Sequence, residues 1–298
     1  MPTVSYSTVG FADRDLDSAL DAIAAAGFDG VELFVAASDT PPTSREATDI
    51  RRKIERRGLI ATTVHGPARR NVLGAPTDSW RQEKVTVLSS YLRFTGEIGA
   101  PGMVIHGIPN PCFLPEDQPL TTFYEPMVDA MMRSVDDLVP VAAESDVRML
   151  LENLPYRNLV PATAEDAEAR SDYPLITMSA LRPFVEAYPA EQIALVVDTG
   201  HAWTNGNDPV SEIETAGDRL WGTHLQDVDA VNPNDNHWPP THGGLDWPAI
   251  CAALERINYA GTWTFEVIHG RKSETPDQLA HLTRAVASGW NVSDRNTS

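Results

Sequence analysis

Residues 194–200 read ALVVDTG, and His201 follows at once. The apolar run is too short for a buried helix. It is rich in β-branched residues and apolar at successive positions, as a strand covered on both faces must be. It then ends in a carboxylate and an imidazole, groups that are costly to bury without a partner. The same kind of ending recurs along the chain. Runs read as strands are TVSYST (3–8), GVELF (30–34), IATTVHG (60–66), MVIHG (103–107), RMLLENL (148–154), WGTHLQD (221–227) and TWTFEVI (262–268). Helical patterns lie between them, over 14–26, 43–57, 78–98, 123–144, 179–188, 246–257 and 275–288, with a weaker one over 208–217. Alternation of eight such units predicts an α/β protein, a (β/α)8 TIM barrel, as a single domain over residues 1–298. An open doubly wound sheet is the other option, but no GxGxxG follows the first strand.

The totals agree with an enzyme-sized core. Of the 298 residues, 42% are hydrophobic. The formal net charge of -19 argues against a nucleic-acid or anionic-membrane surface. Cys112 and Cys251 stand far apart with no CxxC spacing, so neither a disulfide framework nor a thiolate zinc site is expected, and a cytoplasmic location fits. The N-terminal stretch has neither a charged n-region nor an apolar h-region. No apolar run approaches the roughly 20 residues of a membrane span.

The strand endings carry the chemistry. His65, His106, Glu152, Asp198, His201, His224 and Glu266 fall at them, and Glu32 lies near the end of the second. His237, His242 and His269 fall in the loops after strands seven and eight, while His281 falls in a helix. Barrels build their sites on the rim at the C-terminal ends of the strands. A mixed carboxylate and imidazole set suits Mn²⁺, Zn²⁺, Co²⁺ or Mg²⁺. Taken singly, a histidine there is most often a satisfied polar group and a carboxylate a helix cap. Glu32 has the plainest alternative, pairing with a neighbouring strand's Arg or Lys. Trp203 and Trp238 lie near the rim, where their rings could stack on an apolar ligand face, whereas Trp247 reads as packing at a helix entry.

In order along the chain, GFDGVELF (27–34), VHGP (64–67), VIHG (104–107), LLENLP (150–155), VVDTGHAW (196–203), THLQD (223–227), DNHWPPTHGGLDW (235–247) and TFEVI (264–268) resemble the sugar phosphate isomerase/epimerase superfamily. These are the xylose isomerase-like TIM barrels, which include apurinic endonuclease family 2. The isomerase and epimerase branch implies one divalent ion, Mn²⁺ first, on Glu152, Asp198, His224 and Glu266. His65, His106, His201 and His237 would then face a small sugar-like substrate. Glu152 and Glu266 would act as acid and base through an enediolate intermediate. A lyase or dehydratase of a keto-sugar or inosose on the same frame is the alternative. The endonuclease IV-like branch, an abasic-site DNA phosphodiesterase, implies a larger metal cluster. Its pattern maps onto His65, His106, Glu152, Asp198, His201, His224, Asp235, His237 and Glu266, though the net charge opposes a DNA partner. Ketose 3-epimerases carry a second glutamate where this chain has Asn158, and an arginine where it has His237, which counts against a free-ketose 3-epimerase. The resemblance leaves room for a homo-oligomer and does not name the substrate.

Overall fold

In a closed parallel sheet, side chains alternate between the barrel interior and the helices outside. That alternation is visible in the strands at the centre of the chain. Met149 and Leu151 join the large core between sheet and helices, as do Ile193, Leu195 and Val197. Leu150, Ala194 and Val196 instead join Val104 in a small cluster of their own, against Trp221. Glu152 and Asp198 continue the second series, so the same parity that fills the barrel delivers the polar endings to its mouth.

The computed structural model describes residues 2–35, 38–159 and 172–290. Its strands are β1 (Val4–Ser7), β2 (Gly30–Phe34), β3 (Ile60–His65), β4 (Gly102–Ile105), β5 (Arg148–Glu152), β6 (Ile193–Asp198), β7 (Leu220–Leu225) and β8 (Thr262–Phe265). They pair in sequence order, and the barrel closes where β8 meets β1, with Ser5 opposite Thr264. The chain is thus a single-domain TIM barrel.

Helices return the chain between strands. Among the described residues they are α1 (Leu16–Ala26), α2 (Ser44–Glu55), α3 (Asp78–Ile98), α4 (Tyr124–Glu144), α5 (Met178–Glu186), α6 (Thr199–Thr204), α7 (Pro209–Ala216), α8 (Trp247–Arg256) and α9 (Pro276–Trp290). Local chemistry sets several ends. Thr43 and Glu46 form a reciprocal capping box at α2. Gly27 closes α1 at φ 87°, a left-handed conformation that costs glycine little.

One expectation fails at the opening stretch. The strand read over 194–200 stops at Asp198, and Thr199 and Gly200 begin α6. The cause is the Asp198 carboxylate, which accepts a hydrogen bond from the His201 amide at 2.7 Å and caps the new helix. His201 therefore sits one helical turn above the sheet. Among the described residues no helix is long and apolar enough to cross a membrane. Both cysteines are free, Cys112 exposed and Cys251 half-buried.

Candidate metal centre

Glu152 ends β5, Asp198 ends β6, His224 is the penultimate residue of β7, and Glu266 follows β8 directly. Each offers a ligand atom, and the four atoms lie within 4.8 Å of one another. All four residues are buried. His224 is at the centre: its Nδ1 is 2.6 Å from Glu152 Oε1 and 3.4 Å from Glu266 Oε2.

Two further groups adjoin. His65 and His106 approach the other oxygen of Glu152, at 3.8 and 3.5 Å. His201 and His237 flank Asp235, at 3.4 and 3.1 Å. Each of these sets also has ligand spacing. Glu152 is shared between the first group and the His65–His106 group. His237 holds its place with φ 49°, an uncommon conformation for a residue with a Cβ.

The protonation pattern of the rings shows what the cluster can hold. A carbonyl oxygen only accepts, so each ring nitrogen facing one must carry the hydrogen. His65 Nδ1 donates to Gly66 O, His201 Nδ1 to Asn153 O and His237 Nδ1 to Glu266 O. Their Nε2 atoms are left as lone pairs, and all three point at carboxylates. Lone pair against carboxylate is repulsive unless a proton or a cation lies between. Two buried oxygens, Glu152 Oε2 and Glu32 Oε1, and His106 Nδ1 have no hydrogen-bond partner among the described residues. These observations fit a divalent cation among the residues present.

Without a cation, protons take up the imbalance. Burial opposes charge on His237, but Asp235 outweighs it and pushes the pKa up to about 10. Burial likewise opposes charge on His224, yet Glu32, Glu152 and Glu266 together raise it well above the ordinary range. Burial pushes Asp198 up to about 6, with His201 pulling the other way. His106 is lowered, chiefly by burial.

Of four supporting residues, sequence reasoning singled out only Glu32, as a group near a strand end. Glu32 is buried and pairs with no Arg or Lys among the described residues, contrary to its plain reading. Its Oε2 accepts from His224 Nε2 at 3.0 Å and from Thr63 Oγ1 at 2.8 Å. That contact fixes the hydrogen on Nε2 and frees Nδ1 toward the carboxylates. Asn153 clamps the Asp198 backbone, donating to its O at 2.9 Å and accepting from its N at 2.7 Å. Gln226 Nε2 reaches both Asp198 oxygens and, at 2.9 Å, Asp235 Oδ1, while its Oε1 accepts from the His237 amide. Asp227 anchors the loop that carries Asp235 and His237: its carboxylate accepts from the amides of Val228, Gly244 and Leu245 and from Trp247 Nε1. The only signal for these four was their position inside the short stretches at the strand ends.

Glu152 and Glu266 open on a cavity of 410 Å³, as do His65, His106, His201, Asp235 and His237. Phe34, Tyr156 and Ile268 supply apolar wall, and no Lys or Arg lines it among the described residues. His242 and His269 do not line it, nor do Trp203 and Trp238. Trp203 Nε1 donates to Ala230 O, and Arg271 stacks over Trp238 at 5.1 Å. Trp247 packs at its helix entry, stacked on Trp290. The side chain of Asn158 lies outside the described residues.

The family model described as xylose isomerase-like TIM barrel matches residues 20–285. An uncharacterized protein y4fM of Sinorhizobium fredii is 26% identical over 211 residues, covering 70% of this chain, and the chain spans only 61% of that relative's length. D-psicose 3-epimerase of Enterocloster bolteae is 24% identical over 254 residues, covering 85% of this chain and 76% of the relative. Among solved structures, 3-keto-D-glucoside 4-epimerase from E. coli superposes with a TM-score of 0.71 at 17% identity, covering 98% of this chain and 99% of that one. At that identity the likeness concerns the fold.

Proposed function

The chain belongs to the xylose isomerase-like TIM barrel family, and we propose that it is a divalent-metal-dependent isomerase or epimerase of a small sugar or keto-polyol. One observation carries the reading. Glu152 and Glu266, from β5 and β8, both reach His224 Nδ1, at 2.6 and 3.4 Å, and both open on one cavity. Two carboxylates from different strand ends on one cavity can serve the two faces of one carbon. The similarity to D-psicose 3-epimerase and the fold shared with 3-keto-D-glucoside 4-epimerase point to the same substrate class.

Glu152, Asp198, His224 and Glu266 would hold the ion, with Mn²⁺ the first candidate. When bound, it supplies Lewis-acid polarisation of a carbonyl and the adjacent hydroxyl. One glutamate takes the proton from the carbon beside the carbonyl. The other returns a proton to the opposite face or to the neighbouring carbon. His65, His106, His201 and His237 line the cavity and orient hydroxyls. Phe34, Tyr156 and Ile268 limit water around the reacting carbon. Incubation with keto-sugars in deuterium oxide tests this: recovered substrate should carry solvent deuterium at the carbon beside the carbonyl. Loss of water or of an alcohol would instead mark a lyase. No exchange with any keto-sugar or inosose would overturn the reading.

A second reading is favoured by the His201–Asp235–His237 group and by the His65–His106 pair on Glu152. Three ligand groups in one mouth suit a three-ion centre that hydrolyses a phosphodiester. The net charge of -19 and a cavity lined by no Lys or Arg among the described residues oppose a polyanion there. Metal analysis after gentle purification separates the two: one ion per chain on the first reading, three on the second.

A further inference from the structure

Resting on the sugar reading of the polar cavity, we propose that an apolar trough over β3 to β5 is a second subsite, which takes an uncharged alkyl or aromatic aglycone of a glycoside substrate. Clefts that hold whole small ligands measure about 300–1,000 Å³, so the 410 Å³ polar cavity already suffices for one sugar ring. It does not end there. Asn110 and Leu159 line both it and a second cavity of 570 Å³. Leu114 and Pro115 then line both the second and a third, of 510 Å³. Shared lining residues thus link the three in series, and of the three only the first is lined by the glutamates.

The walls change character along this path. The second cavity is lined largely by prolines and leucines, including Pro111, Pro119 and Leu120, with no Lys, Arg or His among the described residues. Glu116 at its edge disfavours an anion. Its polar side chains among the described residues are Asn110, Cys112, Glu116 and Gln118, none of which brings a positive charge to a phosphate. At the far end the Arg70 guanidinium lies 4.0 Å over the Trp80 ring and 6.0 Å from that of Phe113, a flat platform for an aromatic ring. Leu159, at the junction, leaves 50% of its surface exposed, which a bound apolar group would cover. On the opposite flank Asp235 and His237 wall the mouth. A substituent that leaves the sugar cavity past Asn110 and Leu159 therefore meets a largely apolar wall.

Calorimetric titration of the metal-loaded chain with methyl, hexyl and phenyl β-D-glucoside tests the subsite. Each methylene taken out of water strengthens binding roughly fourfold, so partial burial of the chain should make hexyl at least tenfold tighter than methyl. Leu114→Asp and Leu120→Asp, both outside the sugar cavity, should reduce that ratio to near one while leaving methyl binding unchanged. Arg70→Ala should reduce the preference for phenyl alone. Equal affinity for methyl and hexyl, or no binding of any of the three, overturns the subsite. So does a dimer in sedimentation that Leu159→Asp dissociates while the hexyl preference stays unchanged, because the trough would then be covered by a second copy. Deuterium exchange is scored separately. A hexyl preference without exchange on any keto-sugar would sink the sugar chemistry and leave the trough standing.

Discussion

Glu32→Leu removes the carboxylate that holds His224 from behind. Glu32 is 1% exposed, and its Oε2 lies 3.0 Å from His224 Nε2. The substitution leaves that N–H buried without an acceptor and lets the imidazole rotate, so Nδ1 no longer points into the ligand group. Losing the partner of a liganding histidine weakens metal affinity by about 10- to 100-fold, or about 1.4–2.8 kcal/mol. Glu32→Gln keeps an acceptor oxygen for Nε2–H and should lose less than about tenfold. The assay is calorimetric titration of Mn²⁺ into metal-stripped protein, with circular dichroism confirming that each variant is folded. If Glu32→Leu binds the ion within twofold of the parent while His224→Ala loses it, the reasoning fails, and Glu32 is merely a satisfied polar group in the barrel.

Glu152→Gln and Glu266→Gln should each cut kcat by at least about 10²-fold, the lower range for removing a positioned acid or base. Substrate turnover at unchanged far-ultraviolet dichroism reads this, and two near-normal rates would refute the pairing. Gly200→Ala should destabilise by about 1–3 kcal/mol although it adds a helix-favouring residue, because overpacking dominates. Its Cβ would come 2.4 Å from the Gln226 side chain, and urea unfolding gives the sign. Burial pushes the Cys251 thiol up to about 12, so at pH 8 only about one part in ten thousand is thiolate. Native protein should therefore titrate one fast thiol, Cys112, and denatured protein two; two fast thiols in the native state would contradict the burial of Cys251.

Much of the barrel was legible because each unit carried its own period. ALVVD and RMLLE are apolar on both parities, and the intervening segments place apolar residues on one helical face. The four carboxylate and imidazole endings were legible for the same reason: a charged group that terminates a doubly covered strand is an anomaly visible without a structure. Their supports were not. Glu32 and His224 stand 192 residues apart and meet only because β2 and β7 face the same interior. The Asp198 cap was available as the plain reading of a carboxylate at a strand end, but not that the same side chain would cap the His201 amide and also join the ligand group. Sequence reading also put His242 and His269 on the rim, yet neither reaches the cavity, because a loop residue's direction is set by the loop's own hydrogen bonds.

Gln226 has one amide nitrogen with two hydrogens, yet three carboxylate oxygens lie within reach of it, on Asp198 and Asp235. It can serve only two at once. One hydrogen is shared between the two Asp198 oxygens and the other goes to Asp235, so a single amide ties the end of β6 to the loop after β7 and sets the separation of the two carboxylates.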